Sequence, residues 1–187
     1  PHRATIKKNT QNNHMIALRT FLKFLARRDI KTMAPEKIEL AKQGTREVSF
    51  LDSRDLERLL KAPFTVDASP IIQSRDHAIL QLFFSTGMRV SELANLRRDQ
   101  INLEREELSV RGKGDKLRIV FISHQARHAL KEYLEHRKDE SPSLFIRHDR
   151  GRGSKHDDEV GGLTPRAIER LVHHYAVAAG IPKKISP

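Results

Sequence analysis

Phe84-Ser85-Thr86-Gly87-Met88-Arg89-Val90-Ser91-Glu92-Leu93 is the stretch on which the fold turns. A helix arriving from upstream stops at Gly87, because glycine takes the left-handed conformation that closes a helix at no steric cost. A shorter helix follows at once and is expected over Val90–Leu96. Arg89 therefore sits between two helix ends, where its guanidinium can point away from either helical surface. A planar fork in that position suits a phosphate, which it grips through two parallel hydrogen bonds. Glu92 lies three residues on, in the first turn of the second helix, where it can reach back and hold the guanidinium. A surface arginine behind a helix cap has the same spacing, so this stretch alone leaves both readings open.

Outward from this point the elements follow closely. Upstream, Asp52 or Ser53 caps a helix through Lys61 that Pro63 closes, and Ser74 is expected to start the helix carrying Ile79, Leu82 and Phe83 on its inner face. Downstream, strands Glu107–Arg111 and Lys116–Ile122 flank Gly112-Lys113-Gly114-Asp115, a glycine-rich loop that suits a β-hairpin. Ser123 caps a helix to about Lys138 with Leu130, Tyr133 and Leu134 on its apolar face, and Leu144–Ile146 is a short apolar run. His148–Gly162 is polar and glycine-rich and is expected as an exposed loop. Thr164 then caps a helix with Pro165 at its first position, and Ile168, Leu171, Val172, Tyr175 and Ala179 form its stripe up to Gly180. The class is α+β, a mainly helical domain with a small antiparallel sheet.

At the other end, Thr10–Arg28 reads as a helix whose Met15, Leu18, Leu22 and Leu25, with Phe21 alongside, make one apolar stripe. One helix cannot bury such a stripe alone. Asp29–Phe50 has little periodicity and contains Pro35 and Gly44, so it reads mainly as a linker, with a short helical turn at Pro35–Ala41. The expected organisation is a helical segment over 1–30, a linker over 31–49 and the main domain over 50–187.

Charge narrows the function. The 187 residues hold 35 Lys plus Arg against 24 Asp plus Glu, a net +11 that points to a polyanion. Arg3, Lys7, Lys8, Arg19, Lys23, Arg27 and Arg28 fall within residues 1–28, a stretch that holds no acid and so carries +7 by itself. The absence of cysteine excludes a disulfide scaffold, a thiolate zinc site and a cysteine nucleophile. No apolar run approaches a membrane span and no signal-peptide pattern opens the sequence, so a soluble intracellular protein with no membrane partner is expected. His156, Asp157, Asp158 and Glu159 read as a solvated loop, and His124 and His128 lack the intervening glutamate of a zinc-peptidase helix, so no metal is expected.

The second informative motif is Arg111-Gly112-Lys113-Gly114-Asp115-Lys116. It lacks the spacing of a phosphate-binding Walker loop. A lysine between two glycines at a hairpin tip can be delivered into a cleft, although an ordinary turn with solvated charges has the same spelling. Taken together and in order, Thr86-Gly87-Met88-Arg89-Val90-Ser91-Glu92-Leu93 and Val110-Arg111-Gly112-Lys113-Gly114-Asp115-Lys116 resemble the tyrosine recombinase (phage integrase) family, most closely its chromosome-dimer-resolving Xer branch. Leu163-Thr164-Pro165-Arg166-Ala167 is similar to the segment leading into that family's histidine-arginine box, and Thr10–Arg28 resembles the last main helix of its DNA-clamping domain.

The resemblance implies metal-free phosphodiester transfer, in which a tyrosine attacks a DNA phosphate to give a phosphotyrosyl link and a free 5′ hydroxyl, with no cofactor. Arg89 then matches the first catalytic arginine, Lys113 the hairpin lysine that protonates the leaving oxygen, and Glu92 the group that orients Arg89. DNA contacts are expected from Lys7, Lys8, Arg19 and Arg27 in the basic leading stretch and from Arg111 and Lys116 beside the hairpin loop. The implied partner is double-stranded DNA, bound by a homo- or hetero-tetramer on paired sites. The family's His-x-x-Arg box and nucleophilic tyrosine lie beyond the Thr164–Gly180 helix, so the sequence is expected to be a piece of a longer recombinase. His124-Gln125-Ala126-Arg127 imitates the box but opens the helix after the hairpin, too early in the chain, and Tyr133 and Tyr175 fall on apolar stripes as core residues. A non-catalytic DNA-binding module of the same fold and a type IB topoisomerase are the alternatives. Retention of Arg89 with Lys113 weighs against the first, and the Xer-like context against the second.

Overall fold

The computed structural model describes residues 6–42, 44, 50–112, 114, 116–148, 161–183 and 185–187. It contains two compact units, Pro1–Val48 and Ser49–Pro187.

The first unit is built on α1, Lys8–Ala26. The expected end at Arg28 is two residues late. Arg27 and Arg28 already belong to the closing turn, in which Asp29 takes φ 56 and the Ile30 amide donates back to the Leu25 carbonyl at 3.2 Å. Inside the stretch read as a linker, Pro35–Lys37 forms one 3-10 turn, and the chain then runs back along α1. Asn12 is buried there because its amide copies a peptide group: Nδ2 donates to the Ala41 carbonyl and Oδ1 accepts the Ala41 amide, both at 2.9 Å. Arg19 donates to the Ile38 carbonyl on the same side. The returning segment covers this Asn12–Arg19 face, and Met15, Leu18 and Phe21 of the apolar stripe stay exposed.

The second unit begins with α2, Ser53–Lys61, where the Asp52 carboxylate accepts the Asp55 amide at 2.8 Å. Next comes α3, Pro70–Thr86, which starts four residues before the expected Ser74. Pro70 occupies its first position, where a missing amide donor costs nothing and the fixed φ favours the helix. Ser74 is a buried interior residue whose hydroxyl donates to the Ile71 carbonyl at 3.2 Å. Gly87 ends α3 at φ 58, as expected for a left-handed cap, and α4 follows at Val90–Ala94. Strands β1, Glu107–Arg111, and β2, Leu117–Phe121, pair antiparallel with Val110 opposite Arg118 and Leu108 opposite Val120. Ser123 caps α5, His124–His136, and Thr164 caps α6, Pro165–Ala178, with Pro165 at its first position.

Two apolar clusters hold this unit. The larger packs Ala78, Ile79 and Leu82 of α3 against Ala126, Leu130 and Tyr133 of α5, with Leu93 of α4 and the inner hairpin residues Leu108, Val110 and Val120. The smaller joins Leu59 of α2 and Leu80 of α3 to Val172, Tyr175 and Ala176 of α6. Burial of a side chain such as Leu82 or Leu130, each fully enclosed, contributes about 2 kcal/mol. The result is the expected α+β class, mainly helical with a two-stranded antiparallel sheet.

Candidate functional site

The site is assembled where α4 begins and the hairpin root passes over it. Gly87 turns the chain out of α3, and Arg89 follows as the extended N-cap residue of α4 at φ −73, ψ 150. Glu92, in the first turn, reaches back so that its Oε2 accepts the Arg89 amide at 2.9 Å, the return half of a capping box. Its Oε1 accepts Arg89 Nη1 at 2.7 Å, which is the pairing expected from the three-residue spacing. A third donor comes from the sheet: Arg118 Nη2 of β2 donates to Glu92 Oε2 at 2.6 Å.

Exposure separates the roles within this trio. The Glu92 side chain is 4% exposed, whereas those of Arg89 and Arg118 are 63% and 41% exposed. One buried carboxylate thus anchors two guanidinium groups that open to solvent. Burial pushes the Glu92 carboxyl upward, but the Arg89 amide, the Arg89 guanidinium and Arg118 outweigh it and hold the group below the usual carboxylate range. The carboxylate stays ionised, and the trio carries a net single positive charge.

A cleft of about 450 Å³ opens over this arrangement, lined by Arg89, Glu92, Asn95, Gln100, Arg111 and Gly112 among others. Gly112 lies close to the carboxylate: a Cβ there would stand 3.3 Å from Glu92 Oε1 and 3.7 Å from Arg89 Nη1. The missing side chain lets the hairpin backbone come down beside the ion pair, and the Gly112 amide closes the hairpin by donating to the Lys116 carbonyl at 2.8 Å. Exposed guanidinium donors above a carboxylate whose oxygens are already engaged make a cleft suited to an anion, and to a phosphate in particular.

Of the residues singled out from the sequence, Arg89, Glu92 and Arg111 meet in this cleft. Lys116 is exposed at the root of the hairpin. Lys113 and residues 149–160, including His156, Asp157, Asp158 and Glu159, lie outside the described residues. In the first unit Lys7, Lys8 and Arg27 are exposed, and Arg19 spends a donor on the Ile38 carbonyl. His124 opens α5 and Arg127 pairs with Glu106 at 2.8 Å, so the false box has no part in the cleft. Both tyrosines are core residues, as expected. Tyr133 is fully buried with its hydroxyl 3.0 Å from His148 Nε2, and the Tyr175 hydroxyl donates to Asp76 Oδ2 at 2.8 Å.

Sequence reasoning missed Arg118. Its signal was the alternation in Leu117-Arg118-Ile119-Val120-Phe121, which puts Arg118 on the face of the buried Val120. A charge on the inner face of a strand needs a partner, and Glu92 is that partner.

Fold and cleft together define an α+β domain with a hairpin-covered arginine site. The chain belongs to the phage integrase family, whose model matches residues 49–187. It is 34% identical to tyrosine recombinase XerD of Lacticaseibacillus casei over 100% of this chain and 62% of that protein. To tyrosine recombinase XerC of Thermodesulfovibrio yellowstonii it is 34% identical over 96% of this chain and 59% of that protein. The crystal structure of XerA recombinase aligns with a TM-score of 0.61 at 27% identity, covering 97% of this chain and 59% of that one. The post-cleavage complex of XerH site-specific recombinase with a palindromic difH substrate shares the fold at a TM-score of 0.69 and 23% identity, over 98% of this chain and 51% of that one. The chain spans about three-fifths of the length of the curated relatives it matches.

Proposed function

We propose that the chain is part of a site-specific DNA recombinase that cuts and rejoins duplex DNA through a 3′-phosphotyrosyl intermediate. The observation that carries this function is the Glu92 bridge, which engages both oxygens of the one acid that lines the cleft among the described residues and leaves exposed guanidinium donors beside the hairpin root. Arg89 stabilises the charge that builds on the non-bridging oxygens of the scissile phosphate as a tyrosine oxygen attacks the phosphorus. The bond to the 5′ oxygen breaks as Lys113, carried by the hairpin loop, gives that oxygen a proton, and the reverse sequence rejoins a strand. Glu92 fixes the orientation of Arg89.

Tyr133 and Tyr175 are buried and hydrogen-bonded, so neither is assigned as the nucleophile, which belongs with a His-x-x-Arg box to another part of the whole protein. The coverage of about three-fifths of the relatives supports a longer protein. Lys7, Lys8, Arg19 and Arg27 belong to a DNA-clamping unit, Arg111 and Lys116 contact DNA beside the hairpin, and the whole protein works in the cytoplasm as a tetramer on paired sites of the nucleoid.

The test is a trapping experiment on the whole protein with nicked duplex DNA in EDTA. A covalent adduct is expected, and Arg89→Ala should abolish it while most DNA affinity remains, because one phosphate contact is a small part of a large electrostatic footprint. An adduct that forms equally with Arg89→Ala overturns the role of Arg89. DNA binding without any adduct favours a non-catalytic DNA-binding protein of the same fold.

A further inference from the structure

Building on the phosphodiester reading of the cleft, we propose that Arg118 is a positioning residue, whose second guanidinium on Glu92 makes Arg89 competent to hold a phosphodiester. Two observations support this. The first is charge. Arg89 and Glu92 alone form a neutral pair, so the buried carboxylate cancels the charge that Arg89 brings to a phosphodiester anion. Arg118, on the other oxygen of the same carboxylate at 2.6 Å, restores a net positive charge to the trio. Only 4% of the Glu92 side chain is exposed, so protein donors, Arg118 among them, rather than bulk water balance the carboxylate.

The second is geometry. Arg89 and Glu92 sit within three residues of each other on one short helix, whereas Arg118 arrives from β2, 26 residues further on. Its bond holds Oε2, the oxygen that also accepts the Arg89 amide, while Oε1 holds the Arg89 guanidinium, so the orientation of the carboxylate, and with it the fork of Arg89, is set by two elements. The same bond ties β2 to the first turn of α4. Gly112, the glycine that opens the hairpin loop, depends on that closeness, with the Glu92 oxygen 3.3 Å from where its Cβ would be. Arg118 thus links the position of the hairpin root to that of Arg89. Arg118 joins the cluster through Glu92 Oε2, the contact by which it acts on Arg89.

The experiment uses the 187-residue chain and dimethyl phosphate as the probe, followed through the Arg89 side-chain Nε–Hε resonance. In the wild type this resonance is expected to shift and saturate. Arg118→Met, which keeps the length but loses charge and donors, should weaken dimethyl phosphate binding roughly tenfold, the worth of one charge-assisted hydrogen bond. Arg118→Lys, which returns a cation to Glu92, should keep affinity within about twofold of the wild type. Backbone amide spectra of each sample establish folding, and Arg118→Thr, a good strand former, replaces the methionine variant if that variant unfolds. A merely structural Arg118 would move stability without moving the Arg89 response. Unchanged affinity in a folded Arg118→Met or Arg118→Thr, or its loss in a folded Arg118→Lys, overturns the proposal and leaves the phosphodiester reading standing. A wild-type Arg89 resonance that ignores dimethyl phosphate overturns the phosphodiester reading and this proposal with it.

Discussion

Replacing Glu92 by glutamine keeps the size of the side chain, removes its charge and changes one of its two acceptors into a donor. In the native arrangement Oε2 accepts from the Arg89 amide at 2.9 Å and from Arg118 at 2.6 Å, and Oε1 accepts from Arg89 Nη1 at 2.7 Å. The better amide orientation puts oxygen at the Oε2 position and keeps two of these bonds in weaker, uncharged form. Its nitrogen then faces Arg89 Nη1 donor to donor. A hydrogen bond to a charged group contributes about 1.5–3 kcal/mol, and the lower part of that range applies because both guanidinium groups are partly solvated and water takes up the released donors. A loss of about 2 kcal/mol lowers the melting temperature of a domain this size by roughly 6 °C.

Calorimetry or circular dichroism melts at neutral pH read that shift, and pH supplies the sign. The Glu92 carboxyl is held below its ordinary value of 4.5 in the folded state. Its contribution is therefore fully present above that value and drains away as pH falls through the depressed folded value. The gap between wild type and Glu92→Gln should be constant near neutrality and close progressively in acid. A variant that melts with the wild type at neutral pH, or a gap that widens towards acid, refutes the account of Glu92 as an ionised, triply bonded anchor.

Tyr175→Phe should cost about 1–3 kcal/mol, because it leaves the buried Asp76 Oδ2 without its 2.8 Å donor, and thermal melts will show it. Burial and then the charge of Asp76 push the Tyr175 hydroxyl well above the ordinary value of 10, so its stabilisation should hold below that pH and fade as alkali approaches the raised value. An ultraviolet titration should find that both tyrosines, Tyr133 being raised by burial as well, resist ionisation at the ordinary value until the chain unfolds. Gly87→Ala should destabilise by about 1 kcal/mol through backbone strain at φ 58 alone, since nothing lies within 4 Å of the added Cβ, and chemical denaturation measures it. Affinity for duplex DNA should fall steeply with salt, and Arg89→Ala should flatten the logarithmic slope by about one unit, read by fluorescence anisotropy.

The local grammar of this chain was legible because each signal is complete within a few residues. Gly87 stops α3 for a reason internal to glycine, Asp52, Ser123 and Thr164 cap the helices that follow them, and the three-residue offset of Glu92 from Arg89 already places the pair on one helical turn. Tyr133 and Tyr175 declared themselves as core residues through the periodicity of their neighbours. The start of α3 was misjudged because Ser74 has the chemistry of a cap, while Pro70 four residues earlier offers the better first position. The stretch after Asp29 hid the Asn12–Ala41 clasp, since a buried asparagine that mimics a peptide group leaves no periodic trace.

The sequence by itself determined the class, the order of elements and the pairing of Arg89 with Glu92, since capping, periodicity and turn chemistry act over distances shorter than a helix. Tertiary structure alone decided that Arg118 shares the Glu92 carboxylate from 26 residues away, that Gly112 passes beside it, and that Tyr175 spends its hydroxyl on Asp76, 99 residues distant. Each of those contacts joins elements whose own patterns are satisfied with or without it. Only the packing of α3, α4, the hairpin and α6 around shared apolar residues brings the partners within hydrogen-bond reach.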